Sequence, residues 1–535
     1  MKISFKYISY LFLFILGVNM TFISCTNDLN VTPKDDDEFL SDTFFKDPTS
    51  YKQVLAKIYA GLYVGGNDGD GNPDIAGIGG DFSSYLRLLF VTQELPTDES
   101  IIAWADGTLP TLNTQTWAPA NEFLYGTYSR AFYHISLCNE FLRQSTDAKL
   151  TERGVDATLK AQIATFRAEA RFLRAFSYVN LMDLFGNVPI TTENDPVGFF
   201  YPEQKSRAEV FAYVESELKD LNNSLAASKT NEYGRVDKTA AKFLLAQIYL
   251  NSKVYTGVDR NNDVATLCSD IIANSGYTFA NVPYNYLFSA DNNRNGAQNE
   301  FIFPIIHDGN AIRAIGGGMS FIIHASIGGS MDAASRGMDG GWAGTRTRRE
   351  FVALFPDQTA TGDKRGTFYR DGQSLDINNI GTFTDGYAVT KYINKNSNGT
   401  AAQRNDMPDT DFPMYRLSDV YLMYAEATLR GASTGNTTTA LGYINQIRSR
   451  ANATPIALAN LTLDFILDER GRELFWECHR RTDLIRFGKF TGGAKIWQWK
   501  GGVINGTATA SYRDLMPIPA KTIQANPTLK QNPGY

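Results

Sequence analysis

Residues 162–186 read QIATFRAEARFLRAFSYVNLMDLFG, and this stretch limits the possible folds more than any other. Phe166, Ala170, Leu173 and Phe176 recur at the spacing of one helical face. Gly186 and Pro189 end the run. KTAAKFLLAQIYL (238–250), LSDVYLMYAEATLR (417–430) and TTTALGYINQIRSRA (437–451) repeat the pattern. So does TLDFILDERGRELFWECHRRTDLIRF (462–487), with a mild interruption at Gly471. Helices rich in Ala and Tyr at their contacts suit stacked pairs of the tetratricopeptide sort, although no strict period joins them. Between them lie Gly-, Asn- and Thr-rich segments, 61–80 and, largest, 284–411. Long irregular segments inside a compact protein are usually functional. The expected fold is mostly α: tetratricopeptide-like stacked helix pairs carrying a large irregular, loop-rich lobe, with insertions near 61–120 and 284–411.

The N-terminus has the character of an export signal. Lys2 and Lys6 precede the apolar YLFLFILGV (10–18), which is too short to span a bilayer. Phe22-Ile23-Ser24-Cys25 places a small residue directly before a cysteine, the pattern of a bacterial lipobox. The expectation is a signal peptide over 1–24, a lipidated Cys25 with a polar tether over 25–38, and a single domain over 39–535. Ordinary cleavage near Ser24 is the alternative. Cys138, Cys268 and Cys478 are far apart and form no CxxC, so buried thiols are expected rather than a disulfide framework or a zinc site. A net charge of -6 without basic runs argues against a nucleic-acid partner.

Catalytic motifs are sparse. The four histidines form no HExxH, and neither GxSxG nor a P-loop occurs. Glu94, Asp98 and Glu99 cluster near Trp104, and a glycosidase needs two carboxylates flanking a sugar bond; capping and loop solvation are the commoner roles. NDGDGNPD (67–74) has the acid alternation of a calcium loop, but Pro73 stands where that loop needs glycine and Gly79 where it needs Glu. Asp291, Asp409 and Asp411 are candidate ligands of a structural calcium if the fold joins them; no cofactor is otherwise required. RELFWECHRRTDLIRF reads as an internal salt-bridge network, with Glu477 and Arg481 at i,i+4 spacing.

Two of the six tryptophans, Trp104 and Trp117, lie in LPTDESIIAWADGTLPTLNTQTW (95–117), whose Pro, Gly, Thr and Asp content marks a loop. A flat indole covers the C–H face of a pyranose at little entropic cost, and polar side chains take its hydroxyls. A loop tryptophan can equally seal the loop onto the core. Trp117 leads into a helix and reads as such a plug. Trp104 and Trp342 stand in Gly-rich contexts and read as platforms; Trp497 and Trp499 lean structural.

The chain resembles the SusD/RagB family of outer-membrane nutrient-binding lipoproteins. The resemblance is carried by FRAEARFLRAFSYVNLMDLFGNVP (166–189), GRVDKTAAKFLLAQIYLN (234–251), FPMYRLSDVYLMYAEA (412–427), INQIRSRA (444–451), DERGRELFWECHRRTDLIRFGKF (468–490) and MPIPAKTIQANPTLKQNPGY (516–535). It implies a non-catalytic protein on a helical scaffold, lipid-anchored to the outer membrane and facing the exterior. Such a protein captures glycans for a SusC-like TonB-dependent transporter. ELPTDES…AW (94–104), QTWAP (115–119), GTFTDGYAV (381–389) and WQWKGGVINGTATASY (497–512) are most similar to starch-binding members. In those members an arc of aromatics follows a curved α-glucan. The resemblance places Trp104 and Trp342 on that arc, with Arg87 as a polar contact and Asp81 and Asp106 as further ones. Ile102 and Ile315 stand where starch binders carry aromatics. The expected ligand is a starch-type α-glucan oligosaccharide; the alternatives are a dextran-like or β-glucan or, in another class, a surface glycoside hydrolase.

Overall fold

The computed structural model describes residues 41–66, 73–76, 78–80, 82–357 and 362–535. The signal peptide, Cys25, the tether, the start of the expected domain at residue 39, Asp68, Asp70 and Asp81 lie outside the described residues. The chain divides into two compact units between Ser50 and Tyr51. In the first, a single turn Ser41–Phe44 is closed by the Ser50 hydroxyl, which donates to the Phe44 carbonyl at 2.6 Å.

The second unit is helix-rich. Its scaffold comprises α1 (Tyr85–Gln93), α2 (Glu122–Gln144), α3 (Ala157–Phe185), α4 (Arg207–Ser224), α5 (Lys238–Leu250), α6 (Asn261–Asn274), α7 (Gly318–Ala325), α8 (Leu417–Leu429), α9 (Thr437–Arg450) and α10 (Leu463–Leu474). From α2 to α6 each helix packs on the next; α6 then packs on α8, and α8 on both α9 and α10. Consecutive packing of this kind gives stacked helix pairs, the arrangement expected, although the connections are long: residues 186–206 separate α3 from α4 and residues 275–416 separate α6 from α8. Local chemistry sets the helix ends. Asn121, Asp156, Ser206, Asp237, Asn436 and Thr462 each accept an orphan amide of the first turn that follows them. The predicted stop at Gly186 holds: α3 ends there on a residue with φ 72°, a conformation that costs glycine little.

The loop-rich lobe is tied in by short antiparallel pairs. β1 (Ile101–Ile102) pairs with β3 (Thr345–Arg346), and β2 (Phe301–Ile305) pairs with β4 (Phe412–Arg416). Arg348 staples the lobe from inside. Its buried guanidinium donates to the carbonyls of Gln498, Leu95, Thr97, Ser100 and Asn113. Burial among carbonyls pulls its pKa down to about 9.

The charged stretch at 472–486 is structural, but not as one helix. α10 ends at Leu474, and Trp476 and Cys478 take φ values of 60° and 66° before a further short helix, Arg480–Arg486. The expected Glu477–Arg481 pair is therefore absent. Glu477 instead meets Lys391 at 2.6 Å and Arg416 at 2.7 Å, and Arg481 meets Asp183 at 2.8 Å. The break has a cause distant in sequence. The Glu99 carboxylate accepts the Trp476 amide at 3.0 Å and Glu94 accepts that of Cys478 at 2.6 Å. Those two amides have their acceptors outside any helix, and this helps offset the strain of left-handed non-glycine residues. Asp98 is paired with Arg480 through both oxygens at 2.8 Å. All three carboxylates of the 94–99 cluster are thus buried and engaged, and none faces a cleft. Cys138 and Cys268 are buried in α2 and α6, whereas Cys478 lies in this turn rather than in a helix.

Candidate functional site

A cleft of about 920 Å³ opens between the 82–107 segment, the start of α2 and the 315–342 segment. Trp104, Trp342, Arg87 and Asp106 all line it, so the structure brings together four of the five expected sugar contacts. Phe82, Glu122 and Ile315 are also in its walls.

Each tryptophan is positioned by backbone elsewhere. Trp104 follows β1 directly, and the Ala103 amide donates to the Gly344 carbonyl at 2.9 Å, extending the β1–β3 pairing to the foot of the ring. The indole then lies over Gly344, where a Cβ would stand 2.8 Å from two ring carbons. Its Nε1–H donates to the Trp342 carbonyl at 2.9 Å. Trp342 is fastened to the end of α7. The amides of Trp342 and Gly344 donate to the carbonyls of His324 and Ala325, and that of Ala343 to Ile327, each at 2.8 Å. The last carbonyls of a helix lack intrahelical donors, and the 342–344 backbone supplies them. Ala343 pays with a left-handed φ of 49°.

The two indoles are half-buried, with centroids 6.3 Å apart and planes inclined by 47°. They are inclined to one another rather than coplanar. Beneath them Phe321 meets the edge of Trp104 at 5.8 Å. Arg87, on α1 and mostly buried, donates to the Gly316 carbonyl at 2.8 Å. Its guanidinium lies 4.5 Å from the Phe321 centroid and 5.8 Å from that of Trp104, within cation–π range. Asp106 and Glu122 are exposed acceptors at the mouth. Glu122 also accepts the Thr108 amide at 3.0 Å and fills the space a side chain at Gly107 would need. The arrangement offers ring faces, one cation and acceptors to a neutral polyol, and no nucleophile–base pair.

One expectation about the arc changes. Ile102 is 0% exposed in β1, with its amide and carbonyl both held by the Asn113 side chain, so it belongs to the core. Ile315 is 44% exposed on the cleft wall, where an aliphatic side chain takes the place of a ring. Trp117 is the plug anticipated: buried, its Nε1–H donates to the Tyr535 hydroxyl at 2.7 Å. Trp497 is buried, and Trp499 donates to the Ile377 carbonyl at 2.9 Å.

The candidate calcium ligands do not form a site. Asp291 accepts from Ser397 and Asn295, Asp409 from Gly309 and Gln403, and Asp411 from the His307 amide and the Tyr233 hydroxyl. Each carboxylate is thus engaged by donors of the protein itself. Burial raises the Asp411 carboxyl to about 7. Among the described residues no group of three or more His, Cys, Asp or Glu is placed to hold a metal ion.

Sequence reasoning missed Glu122, Phe82 and His324. Glu122 carries a weak signal, since it follows the N-cap Asn121. His324 carries none, because its ring meets Trp342 only through the fold.

Comparison with known proteins places these features in a lineage. A family model described as "SusD family" matches residues 337–535, and one described as "Starch-binding associating with outer membrane" matches residues 88–250. The "Starch-binding protein SusD" of Bacteroides thetaiotaomicron is 33% identical, over 99% of this chain and 99% of its own. "SusD-like protein P25" of Formosa agariphila is 27% identical, over 71% of this chain and 75% of its own. Among solved structures, surface glycan-binding protein A from Bacteroides thetaiotaomicron in complex with laminarihexaose aligns with a TM-score of 0.66 at 22% identity, covering 90% of this chain and 98% of that one. A SusD superfamily protein from Parabacteroides distasonis aligns with a TM-score of 0.70 at 21% identity, covering 93% and 100%.

Proposed function

Because the chain belongs to the SusD family of non-catalytic carbohydrate-binding proteins, we propose that it captures starch-type α-glucan oligosaccharides in the Trp104–Trp342 cleft. It does so at the cell surface, anchored to the outer membrane through a lipid on Cys25, and passes its ligand to a SusC-like TonB-dependent transporter. The observation that carries the ligand choice is the 47° inclination of two indoles in one open cleft. A curved α-glucan presents successive sugar faces at an angle, and two inclined rings can each cover one. A flat ribbon presents parallel faces and would meet only one ring squarely. The full-length likeness to a starch-binding relative agrees with this choice. Phe22-Ile23-Ser24-Cys25 supports the anchor.

A second reading has its own observation. Ile315 leaves the cleft wall aliphatic, which weakens stacking and suits a differently linked glucan, dextran-like or β-linked. Titration calorimetry of residues 26–535 against maltoheptaose, isomaltooligosaccharides, a β-1,3-glucan oligomer and a non-glucan control tests both. Heat with maltoheptaose is the expected result, with the binding free energy weakened in Trp104→Ala and Trp342→Ala by about 1–3 kcal/mol each if a sugar stacks as a base does. Heat from another glucan alone replaces starch with that glucan. Silence across the panel removes glucans as the ligand.

A further inference from the structure

We propose that His324 is the positioning residue of the glycan platform, fixing Trp342 as a surface with one usable face; this rests on the reading of the cleft as a glycan site. The imidazole lies flat against the indole, with centroids 4.3 Å apart and planes 9° from parallel. His324 thus grips Trp342 twice, since its carbonyl also accepts the Trp342 amide at 2.8 Å. The imidazole is itself held at both nitrogens. Nδ1 lies 2.9 Å from the Ser320 carbonyl one turn back in α7, and Nε2 lies 3.4 Å from an Asp339 carboxylate oxygen.

The consequence runs outward through the site. With one face covered by the imidazole, a sugar can stack only on the other. The indole cannot roll toward the covered side, so the inclination between the two rings is set before ligand arrives. The Trp342 carbonyl then fixes Trp104 through the indole N–H at 2.9 Å. Nothing in this chain of contacts requires His324 to touch the glycan. Preorganised rings lose less freedom on binding than mobile ones.

The flat ring is what matters in this arrangement, which separates it from a merely structural histidine. His324→Phe retains a ring behind the indole and loses both polar contacts; His324→Ala leaves the back face open. Calorimetry with the glucan found to bind the wild type should give about a tenfold loss in His324→Ala, the lower part of the stacking range, and a loss within about threefold in His324→Phe. Acrylamide quenching of Trp342, isolated as the difference from Trp342→Phe, should rise about twofold in His324→Ala as the second face opens, and stay at the wild-type value in His324→Phe. Wild-type affinity in His324→Ala, with its fold intact by circular dichroism, overturns the inference. So does a His324→Phe variant that binds as weakly as His324→Ala. Trp342→Ala serves as the control for the underlying reading: if it binds as tightly as the wild type, the glycan site itself is misplaced. If it loses binding while His324→Ala does not, only the positioning role fails.

Discussion

Gly344→Ala should weaken glycan binding without removing any group that touches glycan. The added Cβ would stand 2.8 Å from Cε2 and Cζ2 of Trp104 and 3.1 Å from its Nε1. Carbon–carbon contact is comfortable near 3.5–4.0 Å, so one side must yield by about half an ångström or more. The backbone is poorly placed to yield. The Gly344 amide is held by Ala325 at 2.8 Å and its carbonyl by Ala103 at 2.9 Å. The indole must therefore tip into the cleft and strain its bond to the Trp342 carbonyl. Losing that bond costs about 1 kcal/mol, and forced repacking about 1–3 kcal/mol more. For a unit of this size the melting temperature moves by about 1 °C per kcal/mol, so the fold should survive a drop of a few degrees. If the cleft is the glycan site proposed, binding should suffer more, because on that proposal the glycan reads the inclination of the two rings. The expected result is about a tenfold weaker association by calorimetry, beside a circular dichroism spectrum matching the wild type. Wild-type affinity in Gly344→Ala would refute the claim that Trp104 must lie where it does.

Three further outcomes follow from other parts of the molecule. Ile315→Trp adds a ring to the exposed cleft wall and should tighten maltoheptaose binding about fivefold, or roughly 1 kcal/mol of stacking; unchanged or weaker affinity by calorimetry would show that this wall does not meet the chain. Burial raises the Glu94 carboxyl to about 7, and burial with the neighbouring Glu94 charge raises Glu99 well above its ordinary range. Between the usual 4.5 and about 7 the folded chain keeps a proton that the unfolded chain releases, so this pair makes stability fall as pH rises through that window. Glu94→Gln cannot ionise, and its melting temperature relative to wild type should climb from pH 5 to pH 7 and then level; parallel profiles would argue against a proton held there. Arg416→Met removes the cation shared by Glu300, Glu473 and Glu477, which it meets at 3.2, 2.6 and 2.7 Å in the interior, and leaves these three buried acids to Arg450, Arg365 and Lys391. It should cost about 3–5 kcal/mol by calorimetric unfolding, and a loss below 1 kcal/mol would mean the network tolerates the vacancy.

What the sequence disclosed was mostly local. The helical face of residues 166–176, the stop at Gly186 and the plugging role of Trp117 all depend on neighbours a few residues away or on composition. Trp104 and Trp342 could be nominated singly by their glycine-rich settings and by resemblance, and the cleft indeed holds both. Their mutual angle could not be read, because it depends on pairing between residues 101–103 and 344–346. Ile102 was misplaced for a related reason: a two-residue strand has no periodicity to reveal which side is buried. The unwound turn at 475–479 was hidden further still, since the carboxylates that hold it come from Glu94 and Glu99. For the three aspartates weighed as calcium ligands, the sequence does not disclose their partners, such as Ser397 for Asp291 and Tyr233 for Asp411, nor that they do not converge as a group placed to hold a metal ion.

The staple at Arg348 has an implication for how such a protein can change. Its carbonyl partners at Leu95, Thr97 and Ser100 come before Trp104, and Asn113 comes after. The dozen residues between are thus clamped at both ends by a group that senses only backbone. Side chains inside the clamp are invisible to it. Within the clamp Ile101, Ile102, Leu109 and Leu112 belong to the core, so the side chains free to change by drift or by grafting are those of the exposed tip at Ala105 and Asp106, while the clamp and the helices outside it stay as they are.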